Sequence, residues 1–232
     1  MERKSAILAQ IGGRPIQKHI KLKKPRFSDK EQMANALERF LPEGCAPTIA
    51  SYILEHNVKF RISKSRQTKL GDYRKDPKEN FHRISVNGDL NPYSFLVTTL
   101  HEFAHLTSFE KFGPRIKPHG KEWKQEFRVF LLEFINRNVF PKDLESALMN
   151  YTMNPKATSC SDPRLMLELR KFSKEETAPL LEELNNGELF QFQNRIFEKI
   201  QKRRTRVKCR DIERNRYYLI NAVAEVKRIQ NG

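Results

Sequence analysis

The chain has 232 residues, with 44 lysines and arginines against 28 aspartates and glutamates, which gives a formal net charge of +16. This length allows one or two domains with a sizeable core, and the charge favours polyanionic partners unless the protein is simply basic. The cysteines, Cys45, Cys160 and Cys209, form no Cys-x-x-Cys pair, which argues against a disulfide framework or a four-cysteine zinc site. No stretch reaches the ~18 uncharged residues of a membrane span. We therefore expect a cytoplasmic protein that does not enter a membrane, and we take it to be a monomer.

The first 27 residues contain eight lysines or arginines and one acidic residue, and they include the pair Gly12-Gly13. This composition favours solvation over a packed core. We predict a flexible basic arm at residues 1–27, which is either a tether for nucleic acid or a solvated tail.

Two short helices and three strands are predicted next. Ser28 can cap a helix that ends before Pro42, and a second helix follows over residues 47–56. Alternating apolar residues then predict strands at residues 58–62, 70–74 and 83–87. We expect these strands to form a small antiparallel sheet.

The following helix is predicted over residues 92–112, with Asn91 as its N-cap. It carries the motif His-Glu-Phe-Ala-His, which begins at His101 and ends at His105. Residues four apart lie about 40° and ~6 Å apart on one helix face, so both imidazoles can bind one metal ion. Glu102 lies beside that position, where a general base for a metal-bound water belongs. The alternative is a pair of core histidines that hydrogen-bond to the backbone.

A catalytic zinc ion normally has three protein ligands. His119 lies at the start of the next predicted helix, after a loop that can fold back, and we predict that it is the third ligand. Glu122 and Glu126 are competitors on the same helix. His56 and His82 lie outside any metal spacing and are expected to be structural or surface residues.

The C-terminal part contains a linker at residues 154–160 and a helix that begins at Asp162 and extends through Phe172. Alternating residues then predict four strands, at residues 189–192, 195–199, 205–210 and 216–220. We expect a ribbon-like β element that is held together by its own apolar face, without structural zinc.

Residues 195–210 form the densest basic segment, with eight lysines or arginines and one acidic residue. Basic strands with interspersed aromatic residues can follow a phosphate backbone while they stack on bases. The alternative is a charged outer sheet face whose aromatic residues turn to the core. The predicted nucleic-acid contacts are Lys199, Lys202, Arg203, Arg204, Arg206 and Lys208.

Three motifs together resemble the SprT-like family, which includes Spartan-type DNA-dependent proteases. They are Leu-Gly-x-Tyr-Arg at residues 70–74, His-Glu-Phe-Ala-His at 101–105 and Pro-His-Gly-Lys-Glu-Trp at 118–123. The resemblance covers residues 30–155. Many SprT-like proteins carry a cysteine-rich zinc ribbon after the protease unit, whereas the paired cysteines are missing here.

The resemblance implies a minimal zincin-like fold in which His101, His105 and His119 bind zinc and Glu102 activates water. It also implies cleavage of proteins that are attached to or crosslinked on DNA. The strand that would bind an extended substrate by strand addition contains Leu70, Gly71, Asp72, Tyr73 and Arg74.

We therefore predict an α+β protein with three parts: a basic arm at 1–27, a SprT-like zincin domain at 28–155, and a helix plus a basic β-ribbon module at 156–232. The predicted function is a zinc metalloendopeptidase that acts on nucleic-acid-associated proteins, with a protein substrate and single- or double-stranded DNA as partners. One alternative is a nucleic-acid-binding protein whose metal site is structural or vestigial. The other is a peptidase with no nucleic-acid role.

Overall fold

A computed structural model of the protein describes residues 27–66, 69–155, 162–173 and 178–229. The architecture is α+β, which confirms the predicted fold class. The predicted basic arm lies outside the described residues except for Phe27, and so does most of the predicted linker, from residue 156 onward. None of the described helices is long and apolar enough to cross a membrane.

The described chain begins with two short helices. Helix α1 spans Phe27–Leu37 and continues as a 3-10 turn at Glu38–Phe40, and α2 spans Ala46–Glu55. Proline in the first turn of α2 fits there because that position has no hydrogen bond to lose. Both helices bury apolar residues in the main core.

A three-stranded sheet follows, formed by β1 (Val58–Ser63), β2 (Gly71–Lys75) and β3 (His82–Asn87). The strand order is β1-β3-β2, so β2 and β1 are the edges. The expected antiparallel pairing is found between β2 and β3, but β1 pairs parallel with β3, so the sheet is mixed. β3 is the most deeply buried of the three strands and takes the central place. Because β2 pairs with one side of β3, β1 pairs with the other side.

Four helices complete the first unit: α3 (Pro92–Phe112), α4 (Lys121–Asn136), α5 (Lys142–Met153) and α6 (Pro163–Arg170). The Asn91 side chain accepts a hydrogen bond from the Ser94 N–H at 2.9 Å, as expected of an N-cap. Helix α3 is buried on most sides. It therefore forms the centre against which the small sheet and α4 pack.

Helix α6 contacts the first unit although it follows the predicted domain boundary at residue 155. Leu165 and Leu169 belong to the same apolar core as α3 and α4, and Phe172 packs edge-on against Tyr93 with ring centroids 4.6 Å apart. The boundary itself stays a prediction.

The C-terminal part is a five-stranded antiparallel sheet in the order β7-β6-β5-β4-β8. Its strands are β4 (Leu189–Phe192), β5 (Arg195–Lys202), β6 (Arg206–Asp211), β7 (Arg216–Asn221) and β8 (Lys227–Arg228). Gln193 and Asn194, with φ of 49° and 62°, form the tight turn between β4 and β5. The sheet has its own apolar core, in which Phe190 stacks on Phe197.

Candidate metal centre and active site

Helix α3 places two imidazoles one turn apart on the same face. His101 and His105 are four residues apart, and their Nε2 atoms lie 3.2 Å from each other. The helix is fixed on its other sides by buried apolar residues, which include Leu100, Phe103 and Ala104. This packing holds the two rings in one orientation.

A tight turn delivers the third imidazole. The Gly120 N–H donates to the Lys117 carbonyl at 2.9 Å, and His119 has a φ of 55°. Proline at the second position and a left-handed residue at the third are typical of a type II turn, here Pro118 and His119. Such a conformation is uncommon in a residue other than glycine. The turn brings His119 Nε2 to 3.0 Å from His105 Nε2 and 3.2 Å from His101 Nε2.

The three nitrogens fit a zinc ion in both spacing and protonation. Zinc–nitrogen bonds of about 2.0–2.1 Å in tetrahedral geometry separate the ligand nitrogens by about 3.3 Å, close to the 3.0–3.2 Å observed. Burial lowers the pKa of His105 to about 4, with further lowering by His119, and it also lowers the pKa of His101 and of His119. All three rings are therefore neutral at physiological pH, which is the form that binds a metal.

Trp123 forms the floor of this histidine cluster. Its ring centroid lies 4.7 Å from those of His101 and His119 and 5.4 Å from that of His105. Its indole N–H donates to the His101 carbonyl at 3.4 Å. The sequence predicts Trp123 only as a core residue of α4, because nothing in its helical spacing shows that the three rings rest on it.

Glu102 is buried between α3 and the edge strand β2. A Cβ atom at Gly71 would overlap with Glu102 Oε1 and lie 2.8 Å from the Thr98 methyl group, so a larger residue there would displace the Glu102 side chain. Burial raises the pKa of Glu102 to about 8, with a contribution from Asp72, while Arg66 and a hydrogen bond from the Tyr73 N–H oppose this rise. Glu102 directly follows His101 on α3, and a carboxyl at this position can accept or return a proton.

The competing ligand Glu126 is already occupied. Both of its oxygens accept from Lys111 Nζ, at 2.8 and 2.7 Å. Among the described residues, His101, His105 and His119 form the one group of three side chains whose ligand atoms converge, and this group does not include Glu122.

His56 and His82 lie apart from the cluster and share Glu110. The distances are 2.8 Å from His56 Nδ1 to Glu110 Oε2 and 3.5 Å from His82 Nε2 to Glu110 Oε1. His82 also hydrogen-bonds to the Tyr73 hydroxyl, at 3.0 Å. Both histidines therefore have structural partners.

The predicted substrate strand corresponds to β2, one of the two edges of the small sheet. The Leu70 carbonyl accepts from the Asn87 N–H at 2.9 Å, so Leu70 occupies a hydrogen-bonded position of the ladder. Gly71 and Tyr73, one and three residues further along β2, occupy the alternate positions. In an antiparallel ladder the backbone groups of Gly71 and Tyr73 then point away from β3. Asp72 pairs with Lys69 and with Arg74, at 2.8 and 2.7 Å.

Arg66 stabilises the loop before this strand, although the sequence motifs do not single it out. Its guanidinium donates to Asn87 Oδ1 at 2.8 Å and to Ser85 Oγ at 3.1 Å, and it also reaches the Leu70 carbonyl. The partners on β3 are 19 and 21 residues away in sequence. No local pattern therefore predicts this clamp.

The predicted nucleic-acid contacts divide into two groups. Lys199 is buried, and its ammonium donates to the carbonyls of Glu182 and Leu184, so it points into the fold and away from solvent. The other five residues are exposed or half-buried: Lys202, Arg203, Arg204, Arg206 and Lys208.

The aromatic residues near this segment also differ in their exposure to solvent. Phe197 is buried in the core of the sheet, whereas Tyr217 is 59% exposed and lies on the outer face. Lys208 Nζ lies 4.2 Å from the centroid of the Tyr217 ring. The outer face of β6 and β7 therefore combines cations with an accessible aromatic ring.

Comparisons with known proteins agree with this site. Residues 31–137 match the model of the SprT-like family. The proteins named SprT from Pseudomonas paraeruginosa and Pseudomonas aeruginosa are 59% identical over 27 residues, which is 12% of this chain and 16% of each relative. The alignment thus spans about a sixth of the length of these curated relatives, and no solved structure matches the chain. The matched region contains both histidines of α3, Glu102 and His119, and the chain therefore carries a domain of the SprT-like family at residues 31–137.

Proposed function

We propose that the SprT-like domain is a zinc-dependent endopeptidase. The observation that carries this proposal is the convergence of the Nε2 atoms of His101, His105 and His119 to within 3.0–3.2 Å of one another, with the Glu102 carboxyl held beside them. A purely structural zinc site usually has four protein ligands and gains nothing from an adjacent base. Three histidines with one glutamate fit a catalytic site with an open position.

The side chains of this site have distinct roles in the proposal. A bound zinc ion supplies a Lewis acid that polarises a peptide carbonyl and acidifies water. Glu102 takes a proton from the attacking water and passes it to the leaving amine. Gly71 and the Tyr73 N–H keep its carboxyl in one position, because they contact it from the side of β2.

We propose that the substrate binds as an extended strand along β2. This strand is an edge of the sheet, and Gly71 and Tyr73 direct backbone groups away from β3. Strand addition at an edge is a common way to hold an extended peptide. Because Glu102 contacts this same edge, a peptide paired with β2 passes close to the histidine cluster.

The test separates metal binding from turnover. Glu102→Gln should retain zinc and lose peptidase activity, because the amide has the shape of the carboxyl but cannot accept a proton. His101→Ala should lose both zinc and activity, and His119→Ala should weaken both. Zinc content is measured by mass spectrometry and activity on an unfolded protein substrate. If Glu102→Gln cleaves as fast as the wild type, the proposed mechanism is wrong.

We further propose that the substrates are proteins on nucleic acid, such as DNA–protein crosslinks. Support comes from the C-terminal basic face, which we define as Arg206, Lys208 and Arg210 of β6 with Tyr217 and Leu219 of β7. Lys208 lies opposite Leu219 and Arg210 opposite Tyr217, so these side chains share one side of the sheet. A sheet face with cations and an exposed ring suits single strands, because phosphates meet the cations while bases stack.

This role is tested with the exposed basic residues of the segment. Changing Lys202, Arg203, Arg204 and Arg206 to Ser should weaken binding to all sequences alike and leave zinc content unchanged. The slope of log affinity against log salt should become shallower by about 0.7 per lost contact on single strands and about 0.9 on duplex. The same affinity and slope as the wild type would refute a nucleic-acid contact at these four residues.

An activity assay decides between the proposal and its two alternatives. Proteolysis of a DNA-binding protein is measured with and without DNA. Stimulation by DNA supports the proposal, and cleavage that DNA does not affect indicates a peptidase with no nucleic-acid role. Binding to DNA without any turnover indicates a nucleic-acid-binding protein with a vestigial site.

A further inference from the structure

The solvent side of the three-stranded sheet carries four cations, and of these only Arg74 belongs to a site described so far, the substrate strand. We call Lys59, Arg61, Arg74 and Arg83 the sheet cations. Lys59 pairs with Arg83 between β1 and β3, and Arg83 pairs with Arg74 between β3 and β2, so three of them form one row across the sheet. Arg61 lies two residues after Lys59 and therefore on the same side. All four side chains are exposed.

This row is unfavourable for the isolated domain. Neighbouring strands are about 4.8 Å apart, and like charges directly opposite each other destabilise a sheet. Acidic partners offset part of this cost: Arg83 pairs with Glu79, and Arg74 Nε lies 2.7 Å from Asp72 Oδ2. Both guanidinium groups remain accessible, since the Arg74 and Arg83 side chains are 68% and 52% exposed.

The other two sheet cations lack such compensation. In the part of the chain that the structure describes, neither Lys59 nor Arg61 forms an ion pair with a carboxylate. Lys59 Nζ instead lies 3.7 Å from the centroid of the Phe81 ring. Residues 59–83 hold nine lysines or arginines and three acidic residues, a net charge of +6.

Protection of sheet edges does not explain the whole row. Charged side chains on edge strands prevent pairing with other molecules, and this accounts for the cations on β1. Arg83, however, lies on the central strand β3 with a cation on each side. Beyond its pair with Glu79, a central cation between two others would gain stability from an anion that contacts the row from outside.

We propose that the sheet cations bind the phosphate backbone of a nucleic acid. The face supplies several positive charges in a row, which matches the repeated charges of a phosphate backbone. None of the large apolar side chains that the described structure exposes lies on it, so it has no anchor for a lipid surface. The inference rests on the proposed nucleic-acid role and assigns a second contact, within the catalytic domain itself.

The position of this contact has a direct consequence for the proposed substrate strand. Arg74 follows Tyr73 on β2, whose backbone contacts Glu102. A nucleic acid on the outer face and an extended peptide on the edge of β2 would then be neighbours. The catalytic domain would hold the nucleic acid beside the protein that it cleaves.

The test uses the full chain and a matched control with the same loss of charge. The test variant combines Lys59→Gln, Arg61→Gln and Arg83→Gln. The control combines Lys121→Gln, Arg128→Gln and Lys142→Gln, all exposed positions on α4 and α5. Affinity for duplex and single-stranded DNA is measured by fluorescence anisotropy over a range of salt concentrations. Zinc content and melting temperature show that both variants are folded.

We expect the test variant to bind duplex at least tenfold more weakly than the control, with a salt slope shallower by about 2–3, from about 0.9 per lost contact. Combining it with the C-terminal quadruple variant should add the two losses, because the contacts are separate. If the test variant matches the control in affinity and slope while the C-terminal variant loses binding, this inference is wrong and the proposed function stands. If the wild type binds no nucleic acid, both fail. If the test variant loses binding to polyglutamate while its DNA binding is unchanged, the inference is also wrong, and the face is assigned to an acidic protein.

Discussion

Gly71 is the residue at which the candidate catalytic glutamate and the edge strand meet. Its backbone approaches the Glu102 carboxyl so closely that a single added carbon atom would overlap with Oε1 and with Thr98. The sequence motif Leu-Gly-x-Tyr-Arg contains this glycine but gives no reason for it. The reason is contact between two elements that are about 30 residues apart in the chain.

Gly71→Ala should therefore displace the Glu102 carboxyl and leave the three histidines in place. We expect peptidase activity to fall about 100-fold, since an error of about 1 Å in a catalytic group costs that much. Zinc content should be unchanged. The two measurements are turnover on an unfolded protein substrate and zinc per chain by mass spectrometry.

Gly88→Ala is the matched control. Its new Cβ would lie 2.7 Å from the side chain of Ile62 on β1 and would meet no atom of Glu102, so the substitution strains packing without contacting the site. Activity should be retained below the melting temperature even if that temperature falls. Equal activity losses in the two variants would show that Gly71 acts only on stability.

His56 and Glu110 give the molecule a pH dependence that is unrelated to the metal site. The hydrogen bond to Glu110 raises the pKa of His56. Burial acts to raise the pKa of Glu110, but the hydrogen bond and charge of His56 lower it overall. The His56 contribution is therefore full below its ordinary pKa near 6.5 and is lost as pH rises through the raised value. The Glu110 contribution is full above about 4.5 and is lost at lower pH.

His56→Gln should thus lower the free energy of unfolding most between pH about 5 and 6. The expected loss is about 0.2–1 kcal/mol, typical of a partly exposed ion pair, and it should be smaller at pH 8. Urea unfolding at both pH values measures it. Glu110→Gln should give the same trend, and a loss for His56→Gln that grows with rising pH would contradict the assignment.

At the scale of elements, the turn at residues 117–120 fixes the third imidazole. The backbone of this turn places His119 against α3, and its ring contacts those of Trp123, His101 and His105. A Cβ at Gly120 would lie 2.8 Å from the Lys117 carbonyl oxygen, which is backbone and cannot move aside cheaply.

Gly120→Ala should open this turn and displace His119. We expect the affinity for zinc to fall about 10–100-fold, as for other changes that misplace a ligand from outside the coordination shell. Competition with a fluorescent chelator measures the affinity. Gly113→Ala is the control, because its φ of 80° strains the end of α3 while its Cβ meets nothing within 4 Å. An unchanged affinity in Gly120→Ala would show that the turn does not position the ligand.

The elements and site residues that the sequence predicts are those with local signals. Helix α3 spans the predicted residues because Asn91 and Gly113 mark its ends. The parallel pairing of β1 depends on a partner more than 20 residues away, and no local pattern reveals it. The burial of Lys199 also depends on residues that are distant in sequence, since its carbonyl partners lie 15 and 17 residues away. Helix α5 also has a local signal, since its buried residues Leu144, Leu148 and Tyr151 follow a helical spacing. Even so, no helix is predicted there from the sequence.

At the scale of the whole molecule, the described residues form two separate apolar cores. The first runs from Ala34 to Leu169 and surrounds the histidine cluster, and the second runs from Leu181 to Val226 within the five-stranded sheet. Cys45 is buried in the first core and Cys209 in the second. The only convergent metal-ligand group among these residues belongs to the first core.

We therefore predict that the chain binds one zinc ion. We also predict that removing this ion destabilises the first core and leaves the five-stranded sheet unaffected. Ligands that bind only the folded state stabilise it, by about 4 kcal/mol at 1,000 times the dissociation constant. Chelation should lower the melting transition seen by fluorescence of Trp123, the single tryptophan of the chain. The transition of the five-stranded sheet, followed by circular dichroism, should stay unchanged. Two tightly bound zinc ions per chain, or a shift of both transitions, would contradict this.

The outer edge of β2 presents main-chain groups of Gly71 and Tyr73, of which the Tyr73 N–H is bonded to Glu102 and the others can pair with a peptide. Peptide bonds are the same in every protein, so a ladder of this kind cannot distinguish one amino-acid sequence from another. What it does distinguish is conformation, because only a locally unfolded segment can lie along it. Under the proposed function, the choice of target then depends on effective concentration, and a scaffold that holds both the protein and its target raises this concentration to about the millimolar range. Tethering, and not a recognition sequence, would set which proteins such an edge encounters.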